Sequence, residues 1–258
     1  MDLATVIGLV LGLGAVIGGA ALEGLHLQSL VQPTAALIVL GGTFGAAFIS
    51  FPMPVVTQSL KDLKNVFTPA ENPASMIGVI LEFATRARKN GILSLEEDSK
   101  NSEDPFLRKA LTLCVDGVEP KDVLEILEVE LATFEEHAKQ SAEFYEAAGG
   151  YAPTIGIIGA VLGLIHVMSN LSDTSKLGAG IAVAFVATIY GLVTANIVCL
   201  PFATKIKMRI KAEMQRREMI TAGIIGIQQG VNPRLIEDRL KSYLVGHVEV
   251  ANAAEGQQ

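Results

Sequence analysis

The sequence has no tryptophan, two cysteines and only 18% charged residues. Each shortage excludes something. Cys114 lies in a soluble-looking helix and Cys199 in an apolar run, so neither a disulfide framework nor a Cys/His zinc site is expected. Twenty lysines and arginines stand against 27 acidic residues, for a net charge of −7. No Lys/Arg-rich tract is present to neutralise phosphates, which excludes nucleic acid as a partner. The patterns G-x4-GK[ST], H-E-x-x-H and G-x-S-x-G are all missing, so neither an enzyme nor a cofactor is expected.

What is abundant is apolar sequence in blocks. Half of the residues are hydrophobic, and the mean hydropathy is +0.43. Residues 3–22, 147–172 and 177–204 are charge-free, and a fourth charge-free stretch, 25–60, contains a span at about 34–51. Each approaches or exceeds the roughly 20 residues that cross a bilayer as a helix. The first run lacks the basic start of a secretory signal, since only Asp2 precedes it, and is read as a retained span. Pro33, Pro52 and Pro54 bound the second, where a missing N–H costs least. The expectation is an all-α integral membrane protein of four transmembrane helices in the lipid bilayer. A helical cytoplasmic domain separates the second and third spans, and a helical cytoplasmic tail follows the fourth. The segments are 1–54, 55–146, 147–204 and 205–258.

Orientation follows from the cations. Apart from Lys176, every Lys and Arg lies between the second and third spans or after the fourth. Lys61, Lys64, Lys205, Lys207, Arg209 and Lys211 sit close to span ends, so both termini are expected in the cytoplasm.

The third and fourth spans carry polar and helix-disturbing residues: Pro153 and Thr154, then Thr188, Tyr190, Thr194, Asn196, Cys199 and Pro201. Neither holds a carboxylate, Lys or Arg. Ionisable groups at mid-membrane mark ion paths, so a hydroxyl-lined path without one needs a carrier from elsewhere. Two alternatives remain open. Pro153 is either a working proline or the first turn of a helix after Gly149 and Gly150, and the Thr188 hydroxyl either faces the path or bonds back to its own helix. His166 reads as an interfacial side chain. Glycines recur at four-residue spacing (Gly8 and Gly12, Gly14 and Gly18, Gly41 and Gly45, Gly159 and Gly163), which permits close helix approach in lipid and favours a packed, oligomeric bundle.

Between the spans the periodicity is helical. A helix over 73–89 should stop at Gly91, Ser94 and Glu97 have capping-box spacing, and 106–115 is apolar-periodic before Gly117. Pro120 opens a long helix that continues into the third span. That helix is acidic (Glu128, Glu135 and Glu136 among others), whereas the continuation of the fourth span is basic. The two either pair as a stalk or present solvated or lipid-facing charges. Residues 219–233 are charge-free but too short to span, and Asn232 and Pro233 mark another helix start.

The four-span order, the APTIGIIGAVLGLIHVM and VATIYGLVTAN-x4-P spans, RARKNGILSLE and the tail GIxxIQxGxNPxxIEDxL together resemble the MotA/PomA family of flagellar stator subunits. The resemblance implies a homo-oligomer, thought to be a pentamer, around a MotB-like single-span partner carrying an essential aspartate. It implies an ion path through Pro153, Thr154, Ala160, Thr188, Thr194 and Pro201, in a bacterial inner membrane. Thr188 matches the threonine facing the partner aspartate, and the two prolines match those thought to couple ion passage to movement. Sodium-driven members carry Thr where Ala160 stands, so protons are expected. Arg88 and Glu96, with Glu97 beside them, match residues contacting the rotor protein FliG, and Glu130 corresponds to a further acidic contact. The alternatives are an ExbB/TolQ-type energy transducer, usually of three spans, and a sodium-driven PomA-like stator.

Overall fold

The computed structural model describes residues 2–68, 73–171 and 174–244, and among these every regular element is helical. In chain order they are α1 (Leu3–Leu22), a 3-10 turn (Leu27–Leu30), α2 (Pro33–Ala36), a π-helical stretch (Leu37–Gly41), α3 (Gly42–Ser50), α4 (Met53–Val66), α5 (Ala74–Asn90), a second 3-10 turn (Ile92–Leu95), α6 (Glu96–Asn101), α7 (Pro105–Val115), α8 (Pro120–Ser169), α9 (Thr174–Val193), a second π-helical stretch (Thr194–Cys199), α10 (Leu200–Gln228) and α11 (Pro233–Ser242). Four stretches are long and apolar enough to cross a membrane: α1, the 27–50 segment, the end of α8, and the helix beginning in α9. The chain divides into two units, Met1–Pro69 with Ala138–Met208, and Ala70–His137 with Arg209–Gln258.

In the first unit the third and fourth spans meet backbone to backbone. A Cβ on Gly191 would stand 2.5 Å from the Ala152 carbonyl oxygen and 3.2 Å from the Pro153 Cα. A Cβ on Gly163 would stand 2.8 Å from the Ala184 amide nitrogen and 2.9 Å from the Gly180 oxygen, and one on Gly159 would stand 2.7 Å from the Ala187 methyl. Hydrophobic burial gives little in lipid, so this dispersion contact is what holds the hairpin. The other glycine pairs behave differently. Among the described residues a Cβ added to Gly8, Gly14, Gly18 or Gly45 would meet nothing within 4 Å, and one added to Gly12 would meet only Ile197. Within one chain the glycine-spacing expectation therefore holds for Gly159 and Gly163 but not for the pairs of the first two spans.

Polar contacts fasten the remaining elements of this unit. Asp2 caps α1 by accepting from the Ala4 amide and forms an ion pair with Lys205, whose hydrogen bond holds the Asp2 carboxyl below its ordinary value. Tyr145 donates to the Ser59 carbonyl at 3.1 Å, and Ser141 to Asp62 at 2.7 Å. Phe144 stacks on Phe48 and meets Phe51 and Tyr145 edge-on. Lys207 donates to Glu146 at 2.7 Å, a pair joining the basic and acidic runs.

The second unit has a conventional apolar core, with Ile80, Leu95, Phe106, Leu111, Leu127 and Ile224 fully buried. This explains the charge-free 219–233 stretch, since residues 219–227 are all buried inside the core. Gly91 (φ +83°) ends α5 as expected, because a left-handed residue there closes the last turn at little cost for glycine. The capping box does not form. The Ser94 hydroxyl donates back to the Gly91 carbonyl at 2.7 Å, and α6 begins only at Glu96 after a 3-10 turn without a side-chain cap. Arg216, largely buried, binds Asp104 at 2.6 Å and Glu213 at 2.8 Å, and Arg217 binds Glu213 while lying 3.7 Å from the Phe134 ring centroid. The basic run thus spends these two cations on its own helix, on Asp104 and on an aromatic face rather than on an acidic stalk.

Gly191→Ala should force the two spans apart and cost about 1–3 kcal/mol by overpacking, whereas Gly14→Ala should be neutral for the chain, as read by thermal unfolding of the purified protein. A second expectation concerns acid. Burial pushes the Glu213 carboxyl up, but hydrogen bonds from Arg216 and Arg217 outweigh it and hold it below the ordinary 4.5. A lowered carboxyl stabilises the fold above 4.5, and that contribution is lost as pH falls through its folded value. Glu213→Gln should therefore lower thermal stability at neutral pH and flatten its decline on acidification.

Candidate functional site

The residues expected to line an ion path all lie in the first unit. Pro153 is interior to α8, which continues unbroken through Gly149 and Gly150, so it is not the first turn of a helix. Lacking an N–H, it leaves the Gly149 carbonyl without its helical donor. The crossing that seats Gly191 on Pro153 also seats Gly156 on Thr188, whose Cα lies 3.5 Å from a Gly156 Cβ position. Pro153 and Thr188 therefore share one helix crossing. The Thr188 hydroxyl donates to the Ala184 carbonyl at 3.3 Å. With its hydrogen turned into its own helix, the oxygen presents lone pairs, the group that a protonated carboxyl or a cation needs. Thr154 is exposed, and its hydroxyl donates to the Tyr151 carbonyl at 2.8 Å. Ala160 is half-buried and offers only a methyl group.

Thr194 opens the π-helical stretch of the fourth span, and Pro201 follows that stretch closely. A proline within a continuous helix clashes with the carbonyl four residues earlier, Ile197, and a widened turn absorbs the clash. Pro201 is about 15 Å farther along the fourth span than the crossing at Gly191. It is exposed on a separate groove of about 410 Å3, lined by Thr5, Gly8, Gly12, Asn196 and Phe202 among others. The two prolines thus lie at different places. The outer surface of the third span stays open, with Ile157, Ile158, Val161, Leu164 and Ile165 each about half exposed.

The candidate rotor contacts lie in the second unit. Arg88 and Lys89 occupy the last turn of α5, exposed, and Glu96 and Glu97 the first turn of α6, positions that suit the two helix dipoles. Gly91 turns the chain between them. Arg86, just before Arg88 on α5, ties the two helices together through Asp98. Its guanidinium binds Glu82 at 2.6 Å and Asp98 at 2.5 Å. Glu96 accepts from Lys100 at 2.7 Å, a hydrogen bond that lowers its pKa. Glu130, on α8, is paired with Lys109 of α7. No ion pair among the described residues involves Arg88 or Glu97, which leaves both charges available. Arg86–Asp98 and Arg216–Asp104 escaped sequence reading because nothing in linear spacing marks a pair across helices.

Comparison with known proteins fits this geometry. Residues 6–91 match the family model for the motility protein A N-terminal region, and residues 98–219 that of the MotA/TolQ/ExbB proton channel family. Motility protein A of Bacillus subtilis is 34% identical over 263 residues, covering 100% of this chain and 96% of its own. The chain belongs to the motility protein A family. Its fold matches that of C. jejuni MotAB with a TM-score of 0.91 at 33% identity, covering 96% of this chain and 97% of that one. The flagellar MotAB stator complex from Bacillus subtilis matches with a TM-score of 0.87, also at 33% identity, covering 96% and 98%. As a motility protein A family member the chain is an ion-channel subunit rather than an enzyme, and its match to the N-terminal region sets it apart from the TolQ and ExbB branch.

Arg86 and Arg88 should separate cleanly. Arg86→Ala removes the Asp98 tie between α5 and α6 together with the Glu82 pair within α5 and should lower stability by about 1 kcal/mol, while Arg88→Ala should leave thermal unfolding unchanged.

Proposed function

We propose that this chain is a stator subunit of the bacterial flagellar motor, embedded in the inner membrane, that forms a proton channel with a MotB-like partner and converts inward proton flow into torque. The observation that carries this reading is the crossing of Pro153 and Thr188. A hydroxyl acceptor and a freed carbonyl stand in spans that contain no ionisable carrier, and the partner's aspartate supplies one. Family membership and the match to MotAB structures support the division of roles. The remaining path residues are Thr154, Ala160, Thr194 and Pro201, with Pro201 acting at the inner end of the fourth span as a point of bending. Ala160 favours protons over sodium because a methyl cannot replace a hydration oxygen.

Both termini lie in the cytoplasm in this reading, since the cations flank the inner ends of the spans. Several copies, five by resemblance, ring the partner within the bilayer. The open glycine faces of the first two spans and the exposed side of the third provide surfaces for that assembly. Residues 55–146 form the torque domain, between the hairpins 1–54 and 147–204, with 205–258 as the tail. Arg88, Glu96 and Glu97 engage the rotor protein FliG, and Glu130 adds a contact on α8.

The test is the swimming speed of a stator-deleted bacterium expressing this chain with its MotB-like partner in sodium-free buffer at fixed membrane potential. Swimming should persist, and Arg88→Glu should abolish most of it without loss of the protein from the membrane. Swimming only after sodium is added would overturn the proton assignment. Failure in both media, with a compatible rotor, would overturn the stator reading.

A further inference from the structure

The fourth span is gripped from two sides, and the second grip is unassigned. On one face Thr188 and Gly191 press against the third span. Between them in sequence, Tyr190 reaches toward the second span and packs, as Leu30 does, against the buried cluster of Ala35, Val39, Val186 and Ala187. Its hydroxyl donates to the Leu30 carbonyl at 2.6 Å and accepts from the Gln32 amide at 3.2 Å. Those two backbone groups sit where the 27–30 turn ends and the second span begins. Val31 and Gln32 are extended and Gln32 precedes the first helical residue, Pro33; the Val31 amide bonds Gln28 and the Gln32 carbonyl accepts from Ala36, whereas among the described residues no backbone partner serves the Leu30 carbonyl or the Gln32 amide. In an apolar surrounding both would be costly to leave unpaired. One phenol satisfies both, and in doing so fixes the rotation and depth of the fourth span relative to the second.

We infer that Tyr190 is a positioning residue for ion transfer: its two hydrogen bonds to the start of the second span hold the Thr188 oxygen in register with the crossing at Pro153. The inference rests on the stator reading. A helix turn advances 100° per residue, so a small rotation of the fourth span swings Thr188 off the crossing while leaving the glycine contacts near Gly163 in place. A misplacement of this kind slows the transfer step, because rate depends steeply on the position of the accepting group. It does not change the free energy available per ion, so force near stall is retained.

The experiment follows single motors as wild-type or Tyr190→Phe stator units join one at a time, at high and at low load. The expected result is an unchanged step in speed per unit at high load, with a drop at low load of roughly fivefold, the size that one lost hydrogen bond gives. Tyr190→p-aminophenylalanine, which keeps a donor for the Leu30 carbonyl, should recover most of the low-load speed. Equal low-load steps for wild type and Tyr190→Phe would overturn the inference. So would fewer units of full speed, or failure of the Phe variant to assemble, since the hydroxyl would then serve the fold alone. Wild-type units that fail to turn the motor would instead count against the stator reading.

Discussion

Everything in the membrane half depends on how closely two helix backbones approach. Gly156, Gly163, Gly180 and Gly191 bring the third and fourth spans so near that a single added methyl would meet a backbone atom of the facing span, and at Gly159 it would meet the Ala187 methyl. That contact sets the spacing of the hairpin, and it also places Pro153 beside Gly191 and Thr188 beside Gly156. The packing that holds the spans is the packing that builds the site. A looser, leucine-lined hairpin would need longer side chains to bridge the gap, and no proline or threonine on it would sit opposite its partner. Close approach also explains why the fourth span tolerates a widened π-helical stretch before Pro201, since the distortion falls beyond the tight crossing.

Much of this was legible in the sequence. Charge-free runs located all four spans, Gly91 and Gly117 located helix ends, and Asn232 and Pro233 opened α11 as expected. The failures have physical reasons. Ser94 and Glu97 have the right spacing for a cap, yet the 3-10 turn at 92–95 places Ser94 before the helix and gives its hydroxyl a carbonyl instead. Glycine spacing is a property of one helix, whereas contact needs a second surface, so Gly14 and Gly18 match the pattern yet open onto space among the described residues. The interior placement of Pro153 was undecidable from the residues, because Gly149 and Gly150 suit a helix start as well as a close crossing. The grip of Tyr190 on backbone 160 residues earlier has no linear signature at all.

Charge is sorted by task. Arg216, Glu213 and Asp104 form a half-buried cluster that fixes α10 against α7's start, and Arg86 fixes α5 against α6. Arg88 and Glu97 are left in the open on the turn between those fixed helices. The second unit thus combines rigid backing with free charges, the combination that the proposed rotor contact calls for. The membrane unit shows the reverse arrangement, with charges only at span ends and none along the path.

Proton flux tests whether the path depends on a charge from the partner. The purified chain alone and its complex with the MotB-like partner would be placed in vesicles under a fixed membrane potential, and the rate of internal acidification compared. Flux above background is expected only for the complex, with its loss when the partner aspartate is changed to asparagine. Equal flux through the chain alone, or flux that survives the aspartate change, would contradict the view that this chain builds the path and its partner carries the charge.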